Sequence, residues 1–255
     1  LSASLPGNGE LKLEGQAGPL NKADMVATPV KASIAVTHFD LVASEFVPPD
    51  SGLSGLVDFS GTANSDGRKV HSKGYANAEK LQVVKGGAPA GKAVSLEYVL
   101  NYDLEKQSGN LTDAKVQCGK AVASLNGKFS AAGDTVHLNM KLRGNNMPVQ
   151  DLTALIPAFG VTLPKGASLQ GGSMNVDMAA EGPVDKLVTT GAVNISQTRL
   201  VGFDLAGKMS ALAAMAGIQS SQQTDIEKLA TSMRMAPEGI QVQNLQMIMP
   251  ALGEL

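Results

Sequence analysis

The chain has no tryptophan, a single cysteine, no excess of either charge, and no run of about 18 apolar residues of the kind that crosses a bilayer as a helix. Each absence closes off a class of function. Cys118 alone can form neither an internal disulfide nor a thiolate metal cage, and it leaves either redox compartment open. The 21 basic and 23 acidic residues are scattered singly, so no basic stripe exists to neutralise a phosphate backbone, and nucleic acid is not an expected partner. The opening LSASLPGNGELKLEG lacks the charged and apolar regions of an export signal. Starting there and stopping at MPALGEL inside a β-rich pattern, the sequence reads as a piece of a longer protein. Charged residues are 17%, against roughly 25% in ordinary soluble domains, and aromatics only 4%, which implies an unusually uncharged, glycine-punctuated surface.

What is present is alternation with period two. In Thr135 to Arg143, Val136, Leu138, Met140 and Leu142 alternate with His137, Asn139, Lys141 and Arg143. One face is apolar and the other wet. The same pattern marks Leu11 and Leu13, Val57 and Phe59, and Met174, Val176 and Met178. Turn clusters such as NSDGRK, AAGD and APEG separate these runs and supply the positive φ angles that hairpins need. Antiparallel pairing through hairpins is expected, and GELKLEGQAGPLNK from Gly9 and GSMNVDMAAEGPVDK from Gly172 read as copies of a weak β-repeat, with residues 54–81 as a degenerate third.

Three stretches carry helical signals. In Asp151-LTALIPAFG, Leu152, Leu155, Ile156 and Phe159 fall on one stripe with Asp151 as N-cap. A second helix is expected from Asp204 to about Ala216, stopped by Gly217. A third is signalled by the capping-box spacing of Thr224 and Glu227. From Ser232 the pattern returns to a hairpin turning at Pro237-Glu238-Gly239.

Motifs for chemistry are thin. Gly86-x-x-x-x-Gly91-Lys92 is one residue short of a phosphate-cradling P-loop, with Ala93 where a hydroxyl would hold magnesium. The residues after it, AVSLEYVLNYDLE, alternate as a strand and supply no helix N-terminus, so the stretch reads as a mobile hairpin loop with Lys92 a solubilising charge. His38, His71 and His137 lie on separate strands without metal-ligand spacing, Ser54 and Ser173 sit in no nucleophile elbow, and carboxylates such as Asp177 and Glu181 stand singly. No catalytic, metal or cofactor site is expected. The long Val, Leu, Met and Ala face, with eleven methionines, reads either as an ordinary sandwich core or as a binding groove.

The segment from Asp151 to Leu252 tips that choice. In order it contains DLTALIPAFGVTLPKGASLQGGSMNVDM, EGPVDKL, GAVNISQTRLVGFDLAGKMSALAAMAGI, TDIEKL and MAPEGIQVQNLQMIMPALG, and this string resembles the C-terminal region of the AsmA-like family of Gram-negative envelope proteins. RLVGFDL followed by the Ala-rich stretch is its most specific part. The resemblance implies a periplasmic protein held to the inner membrane by an N-terminal helix that this chain lacks. It also implies a curling β-sheet with an apolar groove, a role in outer-membrane biogenesis, and phospholipid carried between the two membranes. The expected fold is therefore mainly β, a curved, extended antiparallel sheet with two or three short α-helices. Residues 1–150 are expected as a groove segment and 151–255 as the AsmA-like region, joined in one continuous sheet within a fragment of a longer protein. The expected function is non-enzymatic shielding of acyl chains. Candidate groove-lining residues are Val57, Phe59, Val136, Leu138, Met140, Leu142, Met174, Val176, Met178, Val193 and Ile195. The alternative is an envelope scaffold without cargo, and the partners expected are phospholipid, the membrane through the anchor, and envelope proteins of unknown identity.

Overall fold

The computed structural model describes residues 1–45, 47, 51–133, 135–203, 223–250, 253 and 254. The chain begins with β1 (Ser2–Leu5), β2 (Gly9–Ala17), β3 (Val30–Asp40), β4 (Ser54–Ser65) and β5 (Lys69–Gln82). It continues through β6 (Val94–Asp103), β7 (Ser108–Cys118), β8 (Ala121–Ser130) and β9 (His137–Pro148). After the single α-helix among the described residues, α1 (Val149–Leu152), come β10 (Ser168–Gln170), β11 (Ser173–Pro183), β12 (Val188–Val201), β13 (Gln223–Ala236), β14 (Gly239–Met249) and β15 (Gly253–Glu254).

All fifteen strands among the described residues belong to one antiparallel sheet in which spatial order follows chain order, apart from β10, which pairs beside β11 onto β12. The alternating segments could form such a meander because each hairpin satisfies the backbone groups left open by the one before it. The sheet is open and curved, with β1 and β15 at its two edges. It is not the core of a compact body: a globular monomer of 26.2 kDa exposes about 10,600 Å², whereas this chain exposes 15230 Å². Among the larger side chains of the described residues, only Met249 and Val149 are fully buried.

The helical expectations fared unevenly. Residues 149–159 do leave the sheet, but as the four residues of α1 followed by a 3-10 stretch, Thr153–Phe159, with Pro157 inside it. Asp151 is not the cap of this segment; it lies within α1, behind Pro148. The TDIEKL capping box is strand, the first half of β13, where Thr224 and Ile226 are buried and Asp225 and Glu227 exposed. The helix expected at 204–216 lies outside the described residues. The hairpin turning at 237–239 joins β13 to β14 as expected.

Candidate functional site: one apolar face

Directly opposed residues in an antiparallel ladder share a face, so the register carries facing from strand to strand. From β2 to β9 one row reads Leu13, Ile34, Gly61, Gly74, Tyr98, Ala114, Leu125, Leu142. It continues over β11 to β14 as Met178, Gly191, Met233 and Val242. Only the Tyr98 hydroxyl is polar in these twelve positions. At about 4.8 Å per strand the row runs for about 50 Å. The neighbouring row on the other face reads Lys12, Ala35, Ser60, Tyr75, Glu97, Lys115, Ser124, Arg143, Asp177, Ala192, Ser232 and Gln243. Segregation of the two faces is nearly complete.

Ten of the eleven expected lining residues fall on the apolar face. Val57 and Phe59 lead to Gly61 on β4; Leu138 and Met140 lead to Leu142 on β9; Met174 and Val176 lead to Met178; and Val193 and Ile195 follow Gly191. Val136 instead precedes β9, exposed, with its carbonyl accepting the Val184 N–H at 2.9 Å. Met178 and Ile195 are buried while Val57, Phe59, Leu138, Met140, Leu142, Met174, Val176 and Val193 are only half-buried. An apolar side chain left half in water along a whole face is what a closed sandwich avoids.

The face is also low in relief. Phe59 and Tyr98 stack with centroids 6.1 Å apart, and Tyr102 and Phe129 with centroids 5.8 Å apart. The rings of Phe59, Tyr98 and Phe129, and the sulfurs of Met140 and Met178, lie over glycines: a Cβ on Gly74 would stand 2.8 Å from Tyr98 Cε1, and one on Gly191 would stand 2.7 Å from Met178 Sδ. Side chains that lie flat make a smooth wall. The two aspects of the sheet are hollowed differently, as a twisted, saddle-shaped sheet requires. The apolar face is hollow near its start, in a depression of about 600 Å³ whose apolar lining includes Leu1, Leu13, Ala17, Val30 and Ala32. A larger depression, about 770 Å³, lies over the polar face from β2 to β7.

At one rim the apolar face is strapped. Residues 149–159 reach from β9 back to the β5–β6 connection, where Val83, Ala88 and Gly91 donate their amides to the carbonyls of Ala158, Pro157 and Ala154 at 3.1, 2.8 and 2.8 Å. Beneath the strap, Ala121, Ala123 and Met147 form a small core with Leu142, Leu152 and Val176. The Asp151 carboxylate accepts from Lys92 Nζ and, at 2.9 Å, from the Lys120 N–H, while Cys118 Sγ donates to its carbonyl at 3.5 Å.

This overturns the reading of residues 83–92 as a mobile loop with a solubilising lysine. Lys92 is ion-paired, and the Gly87, Ala88, Ala90 and Gly91 amides are all taken by carbonyls, so no nest of free N–H groups faces a phosphate. The strand expected after the motif is β6. Among the described residues no cluster of His, Cys, Asp or Glu could hold a metal ion, and no helix is long and apolar enough to cross a membrane.

Charge on the strap has a definite pH signature. The Lys92 hydrogen bond, then the Lys120 amide, hold the Asp151 carboxyl below its ordinary 3.8, and the Asp151 contact raises Lys92 above 10.5. A depressed carboxyl contributes stability that is present above its ordinary value and lost as pH falls through the lowered one; a raised lysine contributes below 10.5 and loses that contribution as pH rises further. Asp151→Asn is therefore expected to lower the melting temperature by a constant amount between pH 5 and 9. That gap should close as the parent is titrated below 3.8. Native-state hydrogen exchange at Ala88 and Gly91 should accelerate by about tenfold in the variant, and unchanged exchange there would refute the strap's dependence on this pair.

Comparison with protein-family models, with curated proteins and with solved structures finds no match to the chain.

Proposed function

We propose that this chain is a segment of an AsmA-like periplasmic protein whose apolar face shields lipid acyl chains, contributing without catalysis or cofactor to phospholipid transport between inner and outer membranes. The observation that carries the reading is the row across twelve strands in which only the Tyr98 hydroxyl is polar. The order of features from Asp151 to Leu252 supplies the family. In the full-length protein, an N-terminal helix would hold this segment to the inner membrane.

Energetics favour a surface of this kind. Exposing a sixteen-carbon acyl chain to water costs on the order of 12 kcal/mol, at about 0.8 kcal/mol per methylene. A carrier must offset most of that along the whole chain, and a 50 Å apolar strip offers the length. Sliding also needs an even surface. Buried hydrogen-bonding groups would trap a cargo at fixed points, and the central row has almost none.

Native mass spectrometry of the purified protein tests the proposal. Adducts of phospholipid mass that survive gentle desolvation and disappear on detergent washing are the expected result. A folded protein that remains empty after incubation with phospholipid vesicles would favour the cargo-free scaffold instead.

A further inference from the structure

A hollow of about 770 Å³ lies on the wrong side for lipid. Its floor, on β3 and β4, is made of the short side chains Ser33, Ala35, Ser60 and Thr62. Longer side chains wall it on both sides: Lys12 and Glu14 on β2, and Lys73, Tyr75, Glu97 and Lys115 from β5 to β7, with Asp113 beside them. We propose that this cleft is a binding site for an uncharged oligosaccharide.

Four observations lead there. At about 770 Å³ the cleft lies within the roughly 300–1,000 Å³ of small-ligand sites. It crosses β2 to β7, five strand spacings or about 24 Å, which suits a chain of sugars better than one. Its charges cancel: Lys12, Lys73 and Lys115 against Glu14, Glu97 and Asp113. A phosphorylated or otherwise anionic ligand would meet three carboxylates, and a cationic one three ammonium groups.

The fourth observation is the availability of those groups. Glu97 and Lys115 are direct cross-strand neighbours, yet neither they nor Lys73, Asp113 or Glu14 makes an ion pair or side-chain hydrogen bond among the described residues. Ammonium and hydroxyl donors thus stand beside carboxylate and hydroxyl acceptors, which matches sugar hydroxyls that both donate and accept. Tyr75, 42% exposed in the middle of the cleft, offers a ring face to the C–H side of a pyranose.

An extended peptide fits less well. Strands β3 to β6 are paired on both edges, so their backbone offers no ladder to extend, and the floor has no apolar pocket for a side chain. The cleft and the apolar row are on opposite faces, so this inference stands apart from the lipid reading.

Chitohexaose and maltohexaose, both uncharged, are the probes, titrated into isotope-labelled protein and followed by amide NMR shifts. Saturable shifts centred on Ser60, Tyr75 and Glu97 are expected with at least one of them, at a Kd of about 0.1–1 mM. Tyr75→Thr, which keeps a strand-forming residue, should weaken binding about tenfold, whereas Lys141→Gln, on β9 beyond the cleft, should leave it unchanged. The proposal is overturned by no shifts with either sugar at millimolar concentration, or by equal affinity in Tyr75→Thr. It is also overturned by tighter, salt-sensitive binding of a heparin hexasaccharide, or by equal binding of a zwitterionic peptide.

Discussion

Met140→Asp should strip lipid from the protein while leaving it folded. Met140 stands on β9 between Gly127 on β8 and Ala180 on β11, so its side chain alone covers that part of the apolar face, with its sulfur leaning over Gly127. It is half-buried and belongs to no closed core, which limits the effect on folding. A carboxylate facing hydrocarbon costs about 3 kcal/mol at the centre of a bilayer. Met140 is only half-buried, so water can reach the carboxylate, and the loss of affinity should fall between about tenfold and a hundredfold. Met140→Leu, close in volume, should bind as the parent does. Lys141→Asp changes charge by more but on the opposite face, and should also bind normally. Retained lipid in Met140→Asp, or equal loss in Lys141→Asp, would remove the apolar face from the binding site. Collapse of the fold would instead mark the position as closed core.

How far the sequence carried this reading depended on the range over which each property is set. Side-chain facing in a strand is local, which is why the alternation around Leu138, Met140 and Leu142, and around Met174, Val176 and Met178, was enough to put each set on one face of its strand. Neighbours are not local. That Met178 stands between Leu142 and Gly191, and Gly191 beside Met233, follows only from register, and register turns separate stripes into one continuous row.

The misreadings share that cause. Thr224-Asp-Ile-Glu has capping-box spacing, but the same four residues also alternate, and pairing with β12 selected the strand, with Asp225 bonded to Arg199 at 2.6 Å. Asp151 has the chemistry of an N-cap, yet its partners come from 31 and 59 residues away. Lys92 looked solvated for the same reason. The polar cleft was out of reach because alternation marks a face as wet without saying that twist will hollow it.

Gly74→Val should destabilise the sheet, against the direction that strand propensity gives. Valine favours strands and glycine weakens them, so on propensity alone the substitution would stabilise by up to about 1 kcal/mol. Geometry opposes it. Gly74 is opposite Gly61 on one side and Tyr98 on the other, and the Tyr98 ring lies across it to stack on Phe59. An added Cβ would come 2.8 Å from Tyr98 Cε1 and 2.6 Å from the Ser60 carbonyl oxygen. The ring could swing away, forfeiting the stack and the 3.1 Å contact of its hydroxyl with Ser72. The Ser60 carbonyl cannot, because it belongs to the backbone of β4. Overpacking of this kind costs about 1–3 kcal/mol, and with the stack lost the net change should be near 3 kcal/mol. For a chain of this size that lowers the melting temperature by about 6–12 °C. Tyr98→Leu in the Gly74→Val background should recover the part due to the ring but not the part due to Ser60, giving a coupling of about 1 kcal/mol in a double-mutant cycle. A Gly74→Val protein that melts with or above the parent would mean that the aromatic pair does not lie over β5, and the smooth wall inferred from it would fail with it.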